Sequence, residues 1–196
     1  MKTVIVTSAT GEPLTLREVK EHLRIEVGET AEDDLLNGLI ISARQRVETI
    51  TNRKLMPQKW DYRLDEWPDE DCIELPFSPV QNIGSTWVAY KNSTGQIQTL
   101  SSTKWEVDNI SGPGRLCLLY SEDWPSDTLW NVNPVSIRFT CGYSTSSTGA
   151  AEEAVPAAIK GTMLKLIEEM YNNRGTIEAT PSAVMSALAP YRIWKF

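Results

Sequence analysis

Two stretches with helical periodicity, a long central run that alternates every second residue, and turn-forming residues between the alternating segments predict an α+β fold. The expected architecture is a mostly α-helical core of about four helices, with an antiparallel β lobe inserted between the second and third. Residues 1–56 and 151–196 would form the core as a discontinuous unit, and residues 57–150 the insertion. Neither helical stretch alone carries enough apolar surface for a stable core, so the two halves are expected to pack together.

The first helix start is written at Leu14 to Val19. Thr15 and Glu18 have capping-box spacing, in which each side chain satisfies a free backbone N–H, and Leu14 and Val19 can staple the turn. Leu16, Val19, Leu23 and Ile25 lie mostly on one face, so this helix should run to about Glu26, with Gly28 as its stop. Thr30 can cap a second helix whose first turn carries Glu32, Asp33 and Asp34 at the positive end of its dipole. Leu35, Leu36, Leu39, Ile40, Ala43, Val47 and Ile50 then recur at three and four residues, and this long helix should end near residues 52–54.

After Pro57 the period changes to two. Trp60, Tyr62 and Leu64 alternate with Asp61, Arg63 and Asp65, as in a strand with one buried and one wet face. Further strands are expected at 72–75, 86–90, 96–100, 105–108, 115–120 and 135–141, separated by the turns 92–95, 111–114 and 124–127. Residues 144–150 (STSSTGA) have nothing to bury and read as a mobile loop. Helix returns after Pro156, with a stripe of Ile159, Met163, Leu166, Ile167 and Met170 that stops at Gly175. Thr180 and Pro181 open a short fourth helix with Val184, Met185 and Leu188, ended by Pro190.

The chemistry-bearing residues are sparse. The 196 residues carry 26 acidic and 19 basic side chains, a net charge of −7, which argues against a surface that grips nucleic acid all over. A local basic patch remains compatible with that charge. Cys72, Cys117 and Cys141 are widely spaced with no CxxC, so they read as three small buried thiols rather than a disulfide framework or zinc knuckle. The Val4-Ile5-Val6 run is too brief for a signal peptide, and no stretch is long and apolar enough to span a bilayer. The single histidine, His22, sits in the first helix with no obvious nucleophile nearby, and no G-x-S-x-G, Walker A, G-x-G-x-x-G or H-E-x-x-H motif occurs. No catalytic residue, metal ligand or cofactor is therefore expected. Asp61, Asp65, Glu66, Asp69, Glu70 and Asp71 with only Arg63 among them read as a solvated edge; the competing reading is that Asp65-Glu66 and Asp69-Glu70-Asp71 supply the acid and base of a glycosidase or bind a divalent ion.

Seven tryptophans are many for this length. Trp60 and Trp105 share strand faces with apolar neighbours and should be core, whereas Trp67, Trp124 and Trp130 lie near turns and leave a glycan platform open. The chain end is the most unusual feature. Tyr191, Arg192, Ile193, Trp194, Lys195 and Phe196 interleave large apolar groups with two cations where chains normally fray. Such a tail either folds back onto the core or anchors a partner, and aromatic residues with an Arg are the typical make-up of an anchor.

Several stretches together resemble a known family. Leu14–Arg24 (LTLREVKEHLR) followed by Glu32–Leu36 (EDDLL) is similar to the first two helices of the small head-tail connector, or adaptor, proteins of long-tailed bacteriophages, the gp6-like DNA-packaging group. Leu75–Ile83 (LPFSPVQNI) resembles the family's "LP..PV..I" segment, and Val135–Tyr143 (VSIRFTCGY) its strand ending in "GY". Val155–Lys160 (VPAAIK), Met170–Arg174 (MYNNR) and Ala187–Phe196 (ALAPYRIWKF) are similar to its next helix and its ending.

The resemblance implies a structural virion protein without enzymatic activity. Such proteins form a ring, commonly of twelve copies, under the portal, join the DNA-filled capsid to the stopper and tail, and let DNA pass as non-specific cargo. The implied partners are the portal protein, the stopper or tail-completion protein and further copies of the chain, in the virion neck or, during assembly, the host cytoplasm. Tyr191 to Phe196 would dock to the portal. The competing reading is a Trp-rich glycan-binding module of a phage tail or baseplate.

Overall fold

The computed structural model describes residues 2–143, 154–173 and 182–193. Its order of elements is β1 (Lys2–Thr7), α1 (Leu16–Leu23), α2 (Asp33–Thr51), β2 (Gln58–Leu64), β3 (Cys72–Glu74), β4 (Val80–Asn82), β5 (Val88–Lys91), β6 (Ile97–Thr99), β7 (Trp105–Asp108), β8 (Arg115–Leu118), β9 (Val135–Cys141), α3 (Ala157–Asn172) and α4 (Ser182–Leu188), followed by a 3-10 turn at Ala189–Tyr191. The fold is α+β, with four helices and two antiparallel sheets among the described residues. The chain divides into two compact units, one of residues 1–10 and 57–153, the other of residues 11–56 and 154–196.

The first unit is built around β9. Its alternation is complete: Val135, Ile137, Phe139 and Cys141 are fully buried, while Ser136, Arg138 and Thr140 face the other way. β2 pairs with β9 along its whole length, Gln58 opposite Cys141 through Leu64 opposite Val135. On its other side β9 is shared by β5 and β4, giving a six-stranded sheet of order β1-β2-β9-β5-β6 with β4 as a branch. A three-stranded sheet, β3-β8-β7, supplies Ile73, Leu116 and Trp105 to the same core as Tyr62, Ile137 and Phe139. Gly114 stands where that core is tightest, since a Cβ there would lie 2.5 Å from a methyl of Val80.

This unit differs from the sequence reading in β4, which none of the expected strands covers, and in three further features. Sequence alone assigns residues 2–7 to the helical core, yet β1 pairs along β2 from Lys2 opposite Arg63 to Thr7 opposite Lys59, and residues 1–10 cluster with the sheets. Val4, Ile5 and Val6 are the β-prone run that makes this possible. Asp61 is not part of a solvated edge: it is buried opposite Arg138, whose Nε and Nη2 donate to its carboxylate at 2.7 and 3.1 Å. Period-two placement puts both side chains on one sheet face, and that hydrogen-bonded pairing raises the Arg138 pKa. The remaining acids, Asp65, Glu66, Asp69, Glu70 and Asp71, are exposed as expected. Finally, Cys72 and Cys117 are not free thiols. The β3–β8 register sets them opposite one another with Cα atoms 4.1 Å apart, and they form a disulfide, while Cys141 is buried at the end of β9. Spacing along the chain carries no information about this pairing, because strand register creates it.

The second unit starts as its sequence suggests. Thr15 Oγ1 accepts from the Glu18 N–H at 3.2 Å and the Glu18 carboxylate accepts from the Thr15 N–H at 2.7 Å, with Leu14 and Val19 buried beneath them. These Thr15 backbone and side-chain bonds lower the Glu18 pKa. α1 ends earlier than its apolar stripe, at Arg24, which adopts a left-handed φ of 58°. The loop beyond is held by Lys20, buried at 3 % exposure, whose ammonium donates to the Val27 and Glu29 carbonyls and pairs with Asp33. α2 begins after Glu32 without a side-chain cap, so Thr30 does not play the capping role its type suggests.

α2 packs its buried face, Leu36, Ile40, Ala43 and Val47, against α3, whose Ile159, Met163, Leu166 and Ile167 are buried; α1 and α4 pack against both. Glu48 is also buried and binds its surroundings together. It accepts from the Leu55 N–H at 3.0 Å and from Lys54 at 3.3 Å, and it lies 3.4 Å from Arg44, which makes a two-pronged contact with Glu12 at 2.7 and 3.2 Å. The expected loop at 144–150, the stop at Gly175 and the Thr180–Pro181 helix opening lie outside the described residues.

Two outcomes follow. A disulfide that closes a separation of 45 residues contributes about 2–4 kcal/mol, so Cys72→Ala should lower the denaturation midpoint of the oxidised protein, and a reductant should do the same to the unmodified chain only. Because the folded Glu18 carboxyl titrates below its unfolded value, its support of α1 is full above the ordinary glutamate range and fades as pH falls through the folded value. Glu18→Gln should therefore flatten part of the acid limb of a stability–pH curve, by about 0.5 kcal/mol for so exposed a group.

Candidate partner-docking site

The end of α2 determines where the described part of the tail goes. A helix leaves its last carbonyls without intrahelical donors. Here the Ile193 N–H donates to the Thr51 carbonyl at 2.9 Å. Asn52, in the left-handed region at φ 55°, closes the helix and its Nδ2 donates back to the Ile193 carbonyl at 2.8 Å. Arg53 Nε donates to the Tyr191 carbonyl at 2.8 Å. Residues 191–193 thus form a strap across the C-terminal end of α2, held at Ile193 by a backbone bond and the Asn52 side chain and at Tyr191 by the Arg53 side chain.

The side chains divide accordingly. Ile193 is buried, as are Val184 and Leu188 of α4, while Tyr191 is half-buried and Arg192 exposed. Trp194, Lys195 and Phe196 lie outside the described residues. Of the six residues singled out from sequence, two are therefore tied into the helical unit and one, Arg192, faces solvent. The sequence reading missed the clamp itself, Thr51, Asn52 and Arg53. Its one available signal was Asn52, a residue type that tolerates the left-handed turn after a helix.

The alternative chemical sites resolve into structural roles. His22 Nε2 lies 3.1 Å from Glu168 Oε2, a link between α1 and α3 with no nucleophile in it. Among the described residues, no group of three or more His, Cys, Asp or Glu side chains is arranged to hold a metal ion. Trp67 and Trp124 stack on one another, centroids 4.8 Å apart and planes within 8°, and Trp124 Nε1 donates to the Glu70 carbonyl at 2.9 Å. Each ring thus spends one face on the other rather than presenting a shared flat platform. Trp130 is 40 % exposed, with the Lys91 ammonium 4.1 Å from its centroid. Trp105 is buried in the core, with Trp60 packed against it, as the strand faces predicted. No described helix is long and apolar enough to cross a membrane.

Residues 13–107 match the family model of the phage gp6-like head-tail connector protein. That range includes the Leu14–Arg24 and Leu75–Ile83 stretches and stops short of the GY strand and the tail. No curated protein matches the chain. Solved structures do match over the full length. A chain in the neck of an empty gene transfer agent particle, computed with C6 symmetry, is 24% identical with a TM-score of 0.77, covering 100% of this chain and 97% of that one. One from the virion of the native particle is 22% identical with a TM-score of 0.77 at the same coverages. A third, from the native neck computed with C12 symmetry, is 21% identical with a TM-score of 0.71, again covering 100% and 97%.

The strap is testable by itself. Ile193→Ala removes a buried side chain at a chain end and should cost about 1–2 kcal/mol, whereas Arg192→Ala, at an exposed position, should cost less than about 0.5 kcal/mol by chemical denaturation.

Proposed function

We propose that this chain is a structural head-tail connector of a tailed phage or phage-like particle. It would form a ring under the portal, join the DNA-filled capsid to the stopper and tail, and leave a passage for DNA. The observation that carries this reading is the full-length likeness to neck chains of a particle treated with six- and twelve-fold symmetry, together with the connector-family match over residues 13–107. On this reading the chain is no enzyme, it resides in the virion neck, and its partners are the portal protein, the stopper or tail-completion protein and other copies of itself.

The chemistry is compatible with that role. A net charge of −7 disfavours tight, static binding of a duplex that must slide. The tail is the docking element in this proposal, with Arg192 and the residues from Trp194 to Phe196 as its contacts and the 191–193 strap as the mount. Buried aromatics with a cation concentrate binding energy in few residues.

The strap dictates how to test this. Truncation after Pro190 would remove Ile193 and expose the end of α2, confounding folding with docking. A chain ending at Ile193 keeps the mount. Mixed with the portal protein of its own particle, the full chain should add ring-shaped density to the portal's narrow end in negative-stain images. The chain ending at Ile193 should stay folded and add none. Undiminished docking by the shortened chain would remove the tail from the role, and a full chain that ignores the portal would overturn the connector reading.

A further inference from the structure

The two-sheet unit is electrostatically two-faced. Side chains alternate along each strand, and cross-strand partners share a face. On the six-stranded sheet the face away from the core therefore carries Lys2, Lys59, Arg63, Lys91 and Arg138, placed by the registers Lys2–Arg63, Thr7–Lys59, Asp61–Arg138 and Lys91–Ile97. Asp61 is the single acid among them, and it is buried and already engaged by Arg138. Arg63 and Arg138 keep 43% and 42% of their side chains exposed. The ammonium groups of Lys59 and Lys91 lie over the rings of Trp87 and Trp130, at 5.2 and 4.1 Å from the centroids. Val4 and Ile97 add exposed apolar area to the same face.

The three-stranded sheet is the reverse. Its face away from the shared core carries the rows Cys72–Cys117–Glu106 and Glu74–Arg115–Asp108. Glu74 and Glu106 are exposed, and the exposed run Asp69-Glu70-Asp71 leads directly into β3. Both sheets close on one core, so the cationic and acidic faces lie on opposite sides of the same unit.

We infer that the basic face of the six-stranded sheet is a docking surface for the acidic β3–β8–β7 face of a second copy of this chain. Repeated around a rotation axis, such a head-to-tail contact needs two different, complementary patches on one molecule, and these two faces supply them. A symmetrical two-fold contact through either face would oppose like charges. Duplex DNA also complements a basic sheet, but a chain of net charge −7 repels it at a distance, whereas a second copy brings the matching face with it. This contact rests on the ring reading above and specifies which surfaces make it.

The test is a charge exchange on the full chain, read by sedimentation at low and high salt with circular dichroism to verify folding. One variant carries Lys59→Glu and Lys91→Glu, the other Glu74→Lys and Glu106→Lys; none of these residues belongs to the Asp61–Arg138 pair. The unmodified chain should self-associate at low salt and dissociate as salt rises. Each variant alone should associate at least about tenfold more weakly, and an equimolar mixture should recover association, because the reversed faces then complement each other. An unmodified chain that stays monomeric at low salt, variants that associate normally, or a mixture that fails to recover would overturn the contact. So would duplex binding lost in the first variant without any self-association, which would assign the face to nucleic acid. Density added to the portal is a separate readout, so the connector role and this contact fail independently.

Discussion

The sheet unit depends on one constraint: β9 has to be apolar on one side and polar on the other for all seven of its residues. It is the strand that β2, β4 and β5 all pair with, and its four inward residues are fully buried. A register slip of one residue would turn Arg138 into the core and Phe139 out to water. The Asp61–Arg138 pair adds a second lock on the same register, since only the observed alignment puts carboxylate and guanidinium opposite each other. Its value lies in specifying alignment more than in net stability, because burying Asp61 carries a desolvation cost that the pair largely offsets.

The helical unit uses buried charge differently. Lys20 and Glu48 each sit inside the protein and bind backbone groups of neighbouring loops, the Val27 and Glu29 carbonyls in one case and the Leu55 N–H in the other. A buried ion with several hydrogen bonds fixes the backbone of such a loop in a way that apolar packing alone does not. The strap at residues 191–193 is held in a related way, by the Asn52 and Arg53 side chains donating to its carbonyls and by one backbone bond to Thr51.

The sequence made most of this architecture legible, for a physical reason. Periodicity is a local property, so the stripes of α2 and α3 and the alternation of β2 and β9 announced themselves, as did the Thr15–Glu18 box. What stayed hidden depends on partners far along the chain. β1 is a strand only because β2 offers it an edge, Cys72 meets Cys117 only through the β3–β8 register, and Asp61 is buried only because Arg138 lies opposite. The tail was recognisable as unusual from its composition, but its clamp was not, since Thr51, Asn52 and Arg53 look like the end of any helix. The basic sheet face escaped for a similar cause: its cations come from four strands and never form a run.

The discontinuous helical unit has a consequence during synthesis. α1 and α2 emerge with residues up to 51, but α3, against which they bury their apolar stripe, begins at Ala157. At roughly 5–20 residues per second, the ribosome needs on the order of 5–20 s to make the intervening stretch. Through that interval Leu36, Ile40 and Val47 lack the surface that covers them in the finished protein, while the strands can already begin to pair. The nascent chain is therefore most exposed to chaperones and to misassociation with other nascent copies before α3 appears, and synonymous changes that slow translation between α2 and α3 would lengthen that window.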